Sequence, residues 1–296
     1  MATITASLVK ELRDQTSAGM MDCKKALTEC DGDMAKAIDW LREKGIAKAA
    51  KKAGRIAAEG LTNVVVSGNT ALVVEINSET DFVAKNEQFL TLIDTVSNAL
   101  LANDVTTVEE AVSLVVDGKT IDSLLIEATA TIGEKITLRR FIKLTKTEAD
   151  IFGSYKHMGG KISACAVLTG TSDEVIAKDM AMQVASMNPT YVSQDAMPED
   201  MIEHEKSIQF EILKNDETLS SKPENVLQGI LKGRLSKALQ DMSLVDQVFF
   251  KNPDHKCGQV LKEANTSVSS FVRYEVGEGI EKRVENFADE VMKVVG

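Results

Sequence analysis

Four cysteines and three histidines are the residues of this chain best suited to nucleophilic or metal chemistry, and their spacing supports neither. Cys23, Cys30, Cys165 and Cys257 form no CxxC pair, and His255-Lys256-Cys257 offers two metal ligands with no second pair nearby in sequence. Cys165 with His157 is the one thiol and base combination worth weighing. Cys165, however, sits beside Ala164, Ala166 and Val167 in a strand-like run, where a small core residue is the simpler reading. Gly159-Gly160-Lys161-Ile162-Ser163 resembles a phosphate loop only in part. No glycine stands five residues before Gly160, and Ile162 takes the place of the magnesium-binding hydroxyl. Gly277-Glu278-Gly279 lacks the third glycine of a dinucleotide fingerprint and reads as a turn. Carboxylates are abundant, but none forms an isolated pair fit for acid–base work. The expectation is a protein without cofactor, metal or catalytic residues, one that acts by binding and is not an enzyme.

What remains is the chemistry of surfaces. With 34 basic and 45 acidic residues the net charge is −11, which repels phosphate backbones over most of the surface. Only 4% of residues are aromatic, too few for a stacking platform for single-stranded nucleic acid. Direct nucleic-acid binding is therefore not expected. Residues 1–55 carry +3 and leave −14 for the remainder, an asymmetry suited to a small module docking on an acidic protein face. Lys44, Lys48, Lys51, Lys52 and Arg55 could form a phosphate-facing stripe, and an RNA- or ribosome-associated assembly protein is the rival class. A solvated helical linker explains the same spacing more simply. Unpaired cysteines, no signal-peptide pattern after Met1-Ala2-Thr3 and no apolar run near the ~20 residues of a membrane span point to a cytoplasmic chain that neither crosses nor binds a membrane.

At 296 residues the chain is expected to divide into two or three domains. Ile4, Leu8, Val9 and Leu12 share one helical face, and a second helix is predicted from near Gly19 through Leu27. Asp33 reads as the N-cap of a third helix carrying Met34, Ile38 and Leu41, with Gly45 as its stop, followed by the basic linker. From Leu61 the period changes to that of strands: Leu61–Val66 and Ala71–Ile76, joined by Ser67-Gly68-Asn69, then a helix over 87–101 and a strand over 135–144. The plan recurs as strands over 152–156 and 162–168, a helix over 173–187 and a strand over 268–276. Thr80-Asp81-Phe82-Val83-Ala84-Lys85 lines up with Ser172-Asp173-Glu174-Val175-Ile176-Ala177-Lys178 with one insertion, so a duplicated core is expected, with Phe82 opposite Glu174.

Between the second helix and its last strand lies an inserted pair of helices. Pro198 suits a first helical position, Met201, Ile208 and Ile212 recur before the turn, and Leu227, Leu231, Leu235 and Met242 follow it. An antiparallel hairpin over about 198–245 and an ordinary buried pair fit this periodicity equally. Ile280, Val284, Phe287 and Val291 predict a final helix. The fold class is thus α+β: an N-terminal three-helix bundle with linker (1–55), core subdomains over 56–146 and 147–276 with small antiparallel sheets, the inserted hairpin, and a C-terminal helical module (277–296).

The run from Asn77 to Asn86 stands between a strand and a helix, where a cap is needed but an aromatic ring is not. The residues by themselves favour Asp81 as the N-cap and Phe82 as a plug within its own domain. Thr80-Asp81-Phe82-Val83-Ala84-Lys85-Asn86 nevertheless resembles a signature of the translation elongation factor Ts family, and Leu12 through Leu27 resembles its other signature, with Ser17 where the family usually has glycine. Tyr155 through Lys161 and Phe271 through Gly279 are similar to further family segments, with Ser163 in place of a common glycine, and the similarity runs in order over essentially the whole chain. The resemblance implies a guanine-nucleotide exchange factor whose partner is the GTPase elongation factor Tu, met in its GDP-bound and nucleotide-free forms. It implies partner-binding roles for Thr80, Asp81, Phe82 and Val83, which disturb the magnesium site of the GTPase, and further contacts through Met20, Met21, Lys24 and His157. One-to-one and two-to-two assembly with the partner both remain open.

Overall fold

The structure, a computed structural model, describes residues 4–16, 18–219 and 222–281. The chain divides into two compact units. One takes in the residues up to Asn63, Val74–Ile142 and those from Tyr274; the other comprises Val64–Val73 and Lys143–Arg273.

The first unit opens with α1 (Ala6–Thr16), α2 (Met20–Glu29) and α3 (Met34–Lys52), which bury Val9, Leu12, Cys23, Ala26, Leu27 and Ala37 among them. Asp33 caps α3 as expected, its carboxylate accepting the Lys36 N–H at 3.1 Å. Gly45 is not a stop. Helix α3 runs through it to Lys52, and a Cβ there would stand 3.2 Å from the Ala130 Cβ, so this glycine lets another helix approach closely. That neighbour is α6 (below), and the linker predicted after Gly45 is the continuation of α3.

The hairpin β1 (Glu59–Ser67) and β2 (Thr70–Ser78), whose outer part Val64–Val73 is counted with the other unit, turns at Gly68 and Asn69, with Gly68 at φ +55°. Then come α4 (Glu87–Ala102), α5 (Val108–Val112), the short strands β3 (Val115–Val116) and β4 (Lys119–Thr120), α6 (Ile121–Ile132) and β5 (Thr137–Thr145). The sheet has the order β1-β2-β5. Helix α4 buries Phe89, Leu92, Ile93, Val96 and Leu100, and α6 packs on both α3 and α4. Thr120 caps α6 through the Ser123 N–H, and Gly133 ends it in the left-handed conformation at φ +90°. Both ends of α6 are therefore fixed by local chemistry.

One buried charge organises this unit. Glu75 on β2 is 0% exposed, and it accepts from Arg139 Nη1 at 2.9 Å, Arg140 Nε at 2.6 Å, Asn77 Nδ2 at 3.0 Å and the Gly277 N–H at 2.8 Å. Burial pushes its pKa up, but the Gly277 N–H, Arg139, Asn77 and Arg140 together overcome that and hold it below the ordinary glutamate value. Gly277 has φ +73°, and a Cβ on it would overlap the Ala58 carbonyl oxygen. Only glycine can bring that N–H to the carboxylate, a stricter demand than the simple turn read from Gly277-Glu278-Gly279.

The second unit contains β6 (Ile151–His157), β7 (Ile162–Thr169), α7 (Glu174–Met187), α8 (Glu199–Lys214), α9 (Glu224–Met242), β8 (Val248–Phe249), β9 (Asn252–Lys256), α10 (Cys257–Glu263) and β10 (Ser267–Glu275). β6 and β7 pair antiparallel, Ser154 opposite Cys165 and His157 opposite Ile162, in a sheet of order β10-β7-β6. Asp173 caps α7 through the Val175 and Ile176 N–H groups, and α7 packs on β6 and β7. The core gathers Ala164, Leu168, Met180, Val184, Leu244 and Phe249. Helices α8 and α9 pack on each other, and α9 carries no fully buried residue. Pro198 is the N-cap of α8, one place before its expected position, because its ψ of 142° is still extended. Of the predicted C-terminal helix, Ile280 lies in no helix, and Val284, Phe287 and Val291 fall outside the described residues, as does Ser17. Among the described residues no helix is long and apolar enough to cross a membrane.

Candidate partner-binding site

The loop between β2 and α4 is ordered by its own short-range bonds. Ser78 Oγ donates to the Thr80 carbonyl at 3.0 Å, and a 3₁₀ turn spans Val83–Lys85. In that turn the Ala84, Lys85 and Asn86 N–H groups reach the carbonyls of Asp81, Phe82 and Val83 at 3.2, 3.2 and 2.9 Å. The side chain of Asn86 accepts the Gln88 and Phe89 N–H groups, so Asn86, not Asp81, caps the following helix. This displaces the cap expected at Asp81 by five residues. Two consecutive turns, one 3₁₀ and one α, are joined there, and only the second needs a side-chain acceptor.

Val83 is 4% exposed and pins the turn to the interior, while Phe82 one residue earlier is 83% exposed. The reading of Phe82 as a plug in its own domain is overturned: a tight turn points adjacent side chains in different directions, and Val83 takes the inward one. The residue match of Phe82 to Glu174 fails with it. Thr169 ends β7 and Asp173 caps α7 four residues later, whereas Ser78 ends β2 and Asn86 caps α4 eight residues later. Phe82 lies in the added segment and has no counterpart in the second unit.

A cross-brace fixes the base of this loop. Glu134 accepts from Thr80 twice, from its N–H at 2.8 Å and from its hydroxyl at 2.6 Å. Reciprocally, Glu79 accepts the Lys135 N–H at 2.6 Å and pairs with Arg55 at 3.1 Å. Sequence reasoning missed Glu79 and Glu134, since bonds across 54 and 56 residues leave no periodic trace. The one available signal was Gly133, a helix-ending glycine just before Glu134.

Met20, Met21 and Lys24 share the first turns of α2 in the same unit, exposed on the side away from buried Cys23, Ala26 and Leu27; Met20 is 54% and Met21 75% exposed. His157 belongs to the other unit. It is half-buried at the end of β6, its Nδ1 lies 3.3 Å from the Tyr155 hydroxyl, and Met158 beside it is 72% exposed. The structure thus brings Thr80, Asp81, Phe82 and Val83 into one loop and Met20, Met21 and Lys24 onto one helix end.

Groups weighed for other chemistry are otherwise engaged. Cys165 is fully buried on a strand with no exposed face at that point, and burial pushes its thiol up to about 12. It faces Ser154 across the ladder, and His157 faces Ile162. Among the described residues no group of three or more His, Cys, Asp or Glu is placed to hold a metal ion. Of the basic linker, Lys44 lies over the Trp40 ring, Lys48 pairs with Asp22 at 2.9 Å, Lys52 donates to the Gly133 carbonyl and Arg55 pairs with Glu79. Four of the five cations thus have partners within the molecule, while Lys51 is exposed, which favours the solvated helical reading over a dedicated phosphate-facing stripe.

Residues 79–278 match the profile of a protein family described as Elongation factor TS. A relative named Elongation factor Ts, from Acholeplasma laidlawii (strain PG-8A), is 55% identical over 294 residues, which cover 99% of this chain and 99% of that protein.

Proposed function

Because the chain belongs to the elongation factor Ts family, we propose that it is a guanine-nucleotide exchange factor for elongation factor Tu, acting in the cytoplasm during translation elongation. It works by binding and not by chemical catalysis. A GTPase holds GDP through its phosphate loop and a magnesium ion that bridges the β-phosphate to protein groups. To speed release, a second protein has only to bind the nucleotide-free conformation more tightly than the GDP-bound one. Linkage makes the effect reciprocal, so GDP weakens the exchange factor's binding by the same factor and the complex is resolved when nucleotide returns.

In this reading the loop of Thr80, Asp81, Phe82 and Val83 meets the partner near the elements that support its magnesium, with Phe82 wedging its ring there and buried Val83 holding the loop from within. The observation that carries it is the 83% exposure of Phe82 on a loop whose backbone is already fixed. An exposed aromatic on a pre-ordered turn loses little conformational entropy on burial in a partner, which is the property of a binding anchor. Met20, Met21 and Lys24 supply docking affinity, and His157 a further contact. The shared plan of the orders β1-β2-β5 and β6-β7-β10, in which a helix (α4 or α7) directly follows the hairpin, supports a duplicated core, with segments 1–55, 56–146, 147–276 and 277–296 as working domains. We further read α8 and α9 as a protruding hairpin, since α9 buries no residue fully.

The test is stopped-flow release of fluorescent GDP from elongation factor Tu with and without this protein. Acceleration that saturates with its concentration is expected. Release at the spontaneous rate at every concentration would reject the function.

A further inference from the structure

We propose that Glu134 is a positioning residue for the exchange loop: its carboxylate sets the pitch at which Phe82 is presented. The inference rests on the exchange function proposed above and adds to it a residue 52 positions away from Phe82 in sequence.

The loop is held differently on its two sides. Towards α4 the chain is tied by the 3₁₀ turn, the Asn86 cap and the buried Val83. Towards β2 the strand ends at Ser78, the Ser78 hydroxyl donates to the Thr80 carbonyl, and Glu79 accepts the Lys135 N–H and pairs with Arg55. The Thr80 N–H and hydroxyl are both taken by the two oxygens of one carboxylate. Hydrogen bonds to an ionised acceptor are roughly twice as strong as neutral ones, and two on one residue fix its orientation as well as its place. Phe82 is two residues on, so a rotation at Thr80 is carried directly to the ring.

Glu134 can serve as an anchor because it is itself held. The Gly133 N–H reaches the Thr129 carbonyl at 3.1 Å, the Ile136 N–H reaches the Thr129 hydroxyl at 3.1 Å, and the Lys135 N–H goes to Glu79. Lys52, at the end of α3, donates to the Gly133 carbonyl. The loop that carries Phe82 is thereby joined to α6, and through α6 to the bundle that carries Met20 and Met21.

The experiment compares the full-length protein with Glu134→Ala, Glu134→Gln, Phe82→Ala and the double variant Glu134→Ala/Phe82→Ala. In the free protein, amide hydrogen exchange at Thr80, Ala84 and Lys85 should speed up about tenfold or more in Glu134→Ala while α4 amides keep their protection. With the partner, the saturating GDP-release rate should fall about tenfold, as for loss of about 1.4 kcal/mol acting in the transition state, and the half-saturating concentration should change little. Glu134→Gln, which keeps one acceptor oxygen, should recover part of the rate. In the Phe82→Ala background the Glu134 change should cost less than about twofold, because residues acting through one group are not additive. Unchanged exchange at the loop amides overturns the inference whatever the partner does. Equal and additive rate losses in both backgrounds also overturn it. If Phe82→Ala alone releases GDP at the unmutated rate, the functional reading fails, and the amide-exchange result still decides whether Glu134 holds the loop.

Discussion

Truncating Phe82 to alanine separates the two roles an aromatic at this position can have. A residue that plugs its own domain costs stability when removed, as Phe89 should: it is 0% exposed on α4, and Phe89→Ala is expected to cost about 3–5 kcal/mol. Phe82 is 83% exposed, so Phe82→Ala should alter stability by no more than about 0.5 kcal/mol. Its value lies in the surface it can still bury. With a ring surface on the order of 200 Å², roughly 170 Å² remains to be covered by a partner, worth about 4 kcal/mol at 25 cal/mol/Å². Ordering and imperfect fit reduce this to about 2 kcal/mol, typical of an interfacial hot spot and equal to roughly thirtyfold in rate if expressed only in the transition state. The assay is release of fluorescent GDP from elongation factor Tu at saturating exchange factor, repeated after chelating magnesium. Removing the metal beforehand should erase whatever part of the defect arises from metal displacement. A folded Phe82→Ala protein with the unmutated release rate would refute the reasoning, as would a variant that melts several degrees early and is inactive for that reason alone.

Four further outcomes are expected. Glu75→Gln should lower stability by about 3 kcal/mol, because Arg139 and Arg140 keep their charges and lose the carboxylate they share, and an unshifted thermal midpoint would count against it. Since the folded-state pKa of Glu75 lies below its ordinary 4.5, its stabilisation is complete above that value and is lost as pH falls through the lower one. An acid titration should therefore show less stability loss below pH 4.5 in Glu75→Gln than in the parent protein. Cys165 and Cys257, both buried with thiols raised to about 12, should resist a thiol reagent in the native protein and react promptly in denaturant, and fast native labelling of either would refute their placement. Gly45→Leu should loosen the packing of α3 on α6 by roughly 2 kcal/mol, read as a lower urea midpoint.

The sequence by itself determined what local rules govern. Periodicity and capping chemistry located α2, α4, α7, the start of α3 and the hairpins to within a few residues, since Asp33 and Asp173 need only a backbone N–H two or three residues on. It determined the family as well, because Thr80 through Asn86 and Leu12 through Leu27 are short contiguous signatures. Tertiary structure alone decided the rest. Gly45 has the composition of a helix stop, yet it lies inside α3 because Ala130 of a distant helix fills the space a side chain would take. Asp81 has the chemistry of a cap, but Asn86 is the residue that meets free N–H groups once the 3₁₀ turn has used the preceding ones. Phe82 reads as core by its apolar character, and it is outside because Val83 reaches the interior first. The braces through Glu75, Glu79 and Glu134 left little sequence trace, since a carboxylate's partners are chosen by whichever donors the folded chain brings near, and apart from Asn77 these come from 24 to 202 residues away.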